Sequence, residues 1–275
     1  MTDDLLVQSR SALLDALEAL AEHRDAVVII GAQAIYLRTP DAPVALAEAT
    51  KDSDLALDPR LLRDSPLIEE AMTAAGFIHN PTSNQPGAWQ NAYGIPVDLM
   101  VPEDLAGPGS KGARSALLPP HSKNSMRRAA GLEAAIVDNK AETVTALDPV
   151  DTRTFDVKVA GPAALIVAKM HKLMERLENP RRLKDKDAHD IYRILRAIET
   201  AELAEGFERL LRDALSEDVT REALTGLQQH LASGPESSFS HMAGRAEEGI
   251  GEPATVSLAV AVLAQDLLDA LPRPS

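Results

Sequence analysis

Three carboxylates carry the chemistry that this sequence offers. Asp52 and Asp54 stand two residues apart in the run Thr50-Lys51-Asp52-Ser53-Asp54-Leu55-Ala56-Leu57, which reads as a strand from Asp52 to Leu57. Side chains alternate along a strand, so this spacing projects both carboxylates from one face. Asp98 lies in a later strand-like run, Ile95-Pro96-Val97-Asp98-Leu99-Met100-Val101. If the two strands are neighbours, all three carboxylates converge, and their mutual repulsion calls for a cation. Oxygen ligands on a sheet suit Mg²⁺ (or Mn²⁺), an ion that keeps several waters and bridges to phosphate. Two such ions can clamp the attacking and leaving oxygens of an in-line displacement at phosphorus.

A second constellation lies downstream. Lys169, Lys172 and Arg176 fall at i, i+3 and i+7 of one helical segment, so they share a face. Asp187 and Asp190 do the same on the next segment, with His171 and His189 beside them. One reading has Lys169 neutralising phosphate charge, with Asp187 orienting it. The other is an interhelical salt-bridge network. His-Glu-x-x-His, a phosphate-binding Walker loop and a Gly-x-Ser-x-Gly elbow are all absent from the sequence.

The elements that must position these groups follow from pattern. Residues 4–24 show apolar positions at helical spacing. Ala26-Val27-Val28-Ile29-Ile30 is a continuous apolar run of strand length, as expected of a strand buried on both faces. Gly31 follows at once, and a helix begins behind it. Residues 64–76 read as a helix capped by Asp64 or Ser65, with Pro66 in its first turn and Gly76 after its end. Residues 80–94 are rich in turn formers, and Trp89 there is either a stacking platform or a core anchor. Residues 133–160 suggest two short strands. From Pro162 onward the pattern is helical, over 162–178, 184–199, 201–214 and 217–232, then a linker at 233–253 and a terminal helix at 254–270. The expected domains are 1–160, an α/β part, and 161–275, a helical part.

Strand, Gly31, helix and then a strand bearing Asp-x-Asp resembles the nucleotidyltransferase superfamily. The segment Pro162 to Arg176, followed by Lys186-Asp187-Ala188-His189-Asp190-Ile191, is similar to the AbiEii/MenT-type nucleotidyltransferases, toxin-like members of toxin–antitoxin systems. The resemblance spans roughly residues 25–200. It implies a nucleotidyltransferase-like mixed sheet flanked by helices (α+β or α/β), followed by a helical C-terminal domain. It implies an NTP substrate with its phosphates at the Gly31-Ala32 turn and near Lys169 and Lys172. It further implies metal on Asp52 and Asp54, with Asp98 as a third carboxylate and Asp187 in the final acidic motif. The acceptor it suggests is RNA, including the 3′ end of tRNA, and a toxin would have a cognate antitoxin. One departure stands out. The phosphate turn of the superfamily usually reads Gly-Gly or Gly-Ser, whereas Ala32 supplies a backbone N–H but no hydroxyl.

Composition bounds the rest. The 275 residues carry 42 acidic against 28 basic side chains, a net charge of −14, so bulk charge does not favour nucleic acid. The segment from Leu105 to Leu132 reverses the sign locally. It holds no acid but has Lys111, Arg114, Lys123, Arg127 and Arg128, the candidate contacts for an acceptor. The absence of cysteine excludes disulfides and thiolate metal sites, and a cytoplasmic location is the expectation. So is the absence of a secretory leader and of an apolar run near the ~20 residues that span a bilayer. Two other functions compete: a degenerate fold kept as a binding module, and a transferase that modifies a small, cationic, antibiotic-type acceptor.

Overall fold

The computed structural model describes residues 2–42, 44, 52–110 and 112–272. It is a mixed α/β protein that divides into two compact units. Unit 1 comprises residues 1–34, 49–132 and 139–160, and unit 2 comprises 35–48, 133–138 and 161–275. Two short segments, 35–48 and 133–138, cluster with the helical part.

Unit 1 is built on a mixed sheet. Its strands are β1 (Val27–Ile30), β2 (Ser53–Leu57), β3 (Ile78–His79), β4 (Ala88–Gln90), β5 (Pro96–Pro102), β6 (Arg127–Ala129), β7 (Asn139–Thr145) and β8 (Thr154–Ala160). The order is β3-β4-β5-β2-β1-β8-β7, with β6 added alongside β5. β1 lies inside the sheet, antiparallel to β2 and parallel to β8, and all four of its residues are buried. That is what an unbroken Val-Val-Ile-Ile run produces, since neither face has to meet water. β2 and β5 are parallel and pair Asp54 with Asp98. The helix α1 (Thr2–Ala19) buries Leu13, Leu14 and Leu17.

Local departures from the expected elements have physical reasons. The helix expected over 64–76 is α3 (Ile68–Ala74), with Leu67 at the N-cap position and no side-chain cap. The Pro66 carbonyl is engaged elsewhere, 2.8 Å from Nε2 of His23, which keeps residues 64–67 in the loop. The turn-rich stretch 80–94 contains β4, whose three residues are too few to show alternation. Trp89 within it is an anchor: it is buried, donates from Nε1 to the Ser125 carbonyl at 3.1 Å, and stacks on His79. Residues 133–160 begin with a short helix, α4 (Glu133–Val137), before the β7–β8 hairpin.

Unit 2 contains α5 (Pro162–Glu175), α6 (Asp185–Ala197), α7 (Thr200–Arg212), α8 (Glu217–Leu227), α9 (Ser238–Arg245) and α10 (Pro253–Ala270). The expected linker at 233–253 is corrected by α9, which buries Phe239, Met242 and Ala243 at helical spacing. The surrounding Gly, Ser and Glu residues hide that short apolar stripe. By length and composition alone α10 is long and apolar enough to cross a membrane, which corrects the expectation that no segment is. Within unit 2 it packs Val256, Val260, Ala264 and Leu267 into the core and contacts α6, α7 and α9.

Candidate active site

The carboxylate site is assembled at the end of β1. Ile30 pairs with Asp54 on β2, and Asp54 pairs with Asp98 on β5, so Asp54 and Asp98 lie in one row across the sheet. Gly31 follows Ile30 and opens α2 (Gly31–Arg38). It has φ +65°, and a Cβ there would stand 2.2 Å from Oδ2 of Asp54. Only glycine combines this backbone with this approach. The turn therefore brings the amino end of a helix directly against one of the candidate metal ligands. Free N–H groups and the dipole at such an end favour anions.

Beneath this site lies a buried polar network that the spacing of acidic residues did not reveal. Alternation turns Asp54 outward and Ser53 inward, and Ser53 donates to the Ser9 carbonyl at 3.0 Å. Gln33, in the first turn of α2, donates from Nε2 to Ser9 Oγ at 3.0 Å and accepts from Arg10 Nε at 2.9 Å. Arg10 also donates to the Thr145 carbonyl on β7 at 2.9 Å. Burial depresses the Arg10 pKa below its ordinary value. Ser9, Arg10, Gln33 and Ser53 thus tie α1, α2, β2 and β7 together and fix where the Gly31 turn meets Asp54. The only signal in the sequence was the polar side chain at an expected core position, Ser53.

β2 neighbours β5, so Asp54 and Asp98 share a row, and Asp52 and Asp54 are both close enough for their charges to act on the Asp98 carboxyl. Among the described residues no group of three or more His, Asp or Glu side chains is arranged to hold a metal ion. Asp98 instead accepts a 2.7 Å ion pair from Arg127 Nη2. Burial pushes the Asp98 carboxyl above its ordinary pKa, Arg127 pulls it back, and the charges of Asp54 and Asp52 raise it again. Asp52 and Asp54, whose charges reach Asp98, add two further oxygen donors beside it. That set fits a Mg²⁺ or Mn²⁺ ion that completes its shell with water and phosphate.

The basic segment is redistributed. Arg128 is buried, and its guanidinium donates to the carbonyls of Ser115, Ala106, Gly107 and Pro108 at 3.0–3.3 Å. Arg127 faces Asp98. Arg114 and Lys123 are exposed, and Lys111 lies outside the described residues.

In unit 2 the Lys-x-x-Lys-x-x-x-Arg face of α5 closes on Asp187 of α6. Lys169 Nζ donates to Asp187 at 2.7 Å and to Asp190 at 2.5 Å, Lys172 reaches Asp187 at 2.8 Å, and Arg176 reaches it at 3.2 Å. Asp187 is fully buried. Burial opposes both charges, but Asp187 and Asp190 outweigh it and hold the Lys169 ammonium above its ordinary pKa. Likewise Lys169 and Lys172 hold the Asp187 carboxyl well below the usual carboxylate range. The ammonium of Lys169 is thus neutralised from within its own unit. His171 and His189 are also engaged, with the Val219 carbonyl and with Glu247. Arg193, one turn beyond Asp190, donates from Nε and Nη2 to Thr39, and from Nη1 to the Val44 carbonyl.

No curated protein matches the chain. The sequence model of a nucleotidyltransferase family matches residues 8–216. That stretch holds the Gly31 turn, the Asp-x-Asp strand, Asp98 and the α5–α6 cluster. The chain belongs to this nucleotidyltransferase family, whose members are transferases of phosphorus-containing groups.

Proposed function

We propose that the protein transfers an NMP unit from an NTP to an acceptor hydroxyl with a divalent ion, Mg²⁺ or Mn²⁺, on Asp52 and Asp54. The observation that carries this reading is the fit of Gly31 against Asp54, which sets an anion-binding helix end beside a candidate metal ligand. In the reaction the acceptor hydroxyl loses its proton to bulk water as its oxygen bonds to the α-phosphorus, the bond to the bridging α–β oxygen breaks, and pyrophosphate leaves. The ion, when bound, neutralises phosphate charge. The N–H groups at the Gly31-Ala32 turn hold the phosphates, and the helix end needs no hydroxyl at position 32 to do so. The Ser9–Arg10–Gln33–Ser53 network keeps the turn and the strand in place before substrate arrives. Lys169, paired twice within unit 2, orders that unit and is not offered as a phosphate ligand.

We assign RNA as the acceptor class, with the 3′ end of tRNA as the specific target, in a toxin of the AbiEii/MenT type that has a cognate antitoxin and acts in the cytoplasm. Support for this comes from the order of the sequence motifs. A second reading has support of its own. Arg127 and Arg128 both turn inward, and the net charge is −14, which favours a small cationic acceptor.

Incubation with each α-labelled NTP, Mg²⁺ and total RNA tests the reading, beside an Asp54→Asn control. A discrete labelled RNA band, lost in the variant, is the expected result. Label in an added aminoglycoside-type amine instead of RNA would favour the second reading. No label in any acceptor, and no Mg²⁺-dependent NTP binding by calorimetry, would leave a binding module without chemistry.

A further inference from the structure

Arg127 is held in place by backbone as well as by charge. Its strand β6 runs parallel to β5, with Met100 opposite Arg127. Gly87, at φ +71°, lets the chain before β4 press against both strands: a Cβ there would stand 2.2 Å from the Leu99 carbonyl and 2.7 Å from the Arg127 nitrogen. From this position Nη2 reaches Asp98 at 2.7 Å and also lies 3.1 Å from the Met100 sulfur. The side chains of Arg127 and Asp98 are only 16% and 22% exposed, so water screens the pair weakly.

A two-ion clamp at phosphorus needs carboxylates that share two cations. Here the third carboxylate already has a counter-charge of its own. A guanidinium stays protonated at any ordinary pH, and its planar fork fits a carboxylate. It also takes up the Oδ2 of Asp98 that a second ion would need.

We propose that Arg127 stands in for the second cation, so that the site takes one divalent ion, on Asp52 and Asp54, while Asp98 is positioned by the arginine. The inference rests on the metal-dependent transferase reading above. It assigns Arg127 as a positioning residue and not as a nucleic-acid contact.

Mn²⁺ alone, titrated into the full chain and followed by the electron paramagnetic resonance of the free ion, tests it. Sites are counted as those lost in Asp54→Asn, which sets aside ions held elsewhere on an acidic surface. One such Mn²⁺ is expected in the unmodified chain, and it should persist in Asp98→Asn. Arg127→Met should raise the count to two, and Asp98→Asn in that background should return it to one. Two ions in the unmodified chain, loss of the single ion in Asp98→Asn, or a count that stays at one in Arg127→Met would each overturn the inference while leaving the transferase reading intact. No Mn²⁺ sensitive to Asp54→Asn would overturn both. Arg127→Gln, with circular dichroism to check folding, replaces the methionine variant if that one is unfolded, with the same counts expected.

Discussion

Gly31 and Asp54 meet so closely that no side chain fits between them: a Cβ at position 31 would stand 2.2 Å from Oδ2 and 3.0 Å from Cβ of the aspartate. Gly31→Ala must therefore displace Asp54 and also hold alanine at φ +65°. Strained backbone of this kind costs about 1–3 kcal/mol. Nucleotidyl transfer is expected to fall by roughly 100-fold, because the displaced Asp54 is misplaced by on the order of 1 Å. The melting temperature should drop by only a few degrees.

Asp52→Asn and Asp54→Asn separate chemistry from stability. Each removes a carboxylate charge while keeping the shape of the side chain. Transfer of α-label should fall by about 10²–10³, as for other groups that set transition-state charge. Stability should be unchanged or slightly higher, because each variant relieves repulsion on Asp98. A loss of folded protein in thermal melts would contradict this.

Lys169 and Asp187 form a buried pair whose partners cannot be removed singly without cost. Asp187→Asn leaves Lys169, Lys172 and Arg176 without their shared carboxylate. Breaking such a pair costs about 3–5 kcal/mol, to be read from urea midpoints. The pH dependence has two limbs. Asp187 has a depressed folded pKa, so its contribution is full above about pH 4 and lost as pH falls below that. Lys169 has a raised one, so its contribution is full below about pH 10 and lost as pH rises beyond. The Asp187→Asn variant should lose the acid limb.

His23 gives unit 1 a separate sensitivity to pH. It is buried, its Nε2 lies 2.8 Å from the Pro66 carbonyl, and its Nδ1 accepts from the Arg63 N–H at 3.4 Å. Those partners require Nε2 to carry the proton and Nδ1 to be bare. Burial pushes the pKa below its ordinary value, with the neighbouring His121 and Arg63 adding to the effect. The unfolded chain then binds more protons, so stability falls as pH drops below about 6.5. His23→Gln should flatten the slope of the denaturation midpoint between pH 5 and 7, an approximate window set by that same unfolded pKa.

Much of the scaffold could be read from pattern because its strongest signals are local. The Val27–Ile30 run is buried throughout, Gly31 opens a helix, and Asp54 and Asp98 share a row. Those features depend on periodicity and on one glycine. What could not be read depends on which partner a charge selects in three dimensions. Arg127 and Arg128 are adjacent in a segment without acids, yet one pairs with an aspartate from β5 and the other with four loop carbonyls. Lys169 and Asp187 matched their sequence motif, but burial makes them an ion cluster inside unit 2. The short α9 is not legible in the sequence because its apolar stripe is only three residues, Phe239, Met242 and Ala243, set among turn formers.

The parallel pairing of β2 with β5 also imposes a counting rule on the chain. Sliding β5 by one residue would replace Asp98 in the row by Val97 or Leu99, both fully buried, and would swing the carboxylate toward the core. Sliding it by two would bring Pro96 or Met100 into the row instead. No change of length within β5 is neutral, and the turn before it is closed as well: Asn91 Oδ1 accepts from the Tyr93 and Ile95 N–H groups at 3.0 Å, and the Gly94 N–H donates to the Asn91 carbonyl. An insertion in either segment would have to be absorbed elsewhere to keep Asp54 and Asp98 side by side.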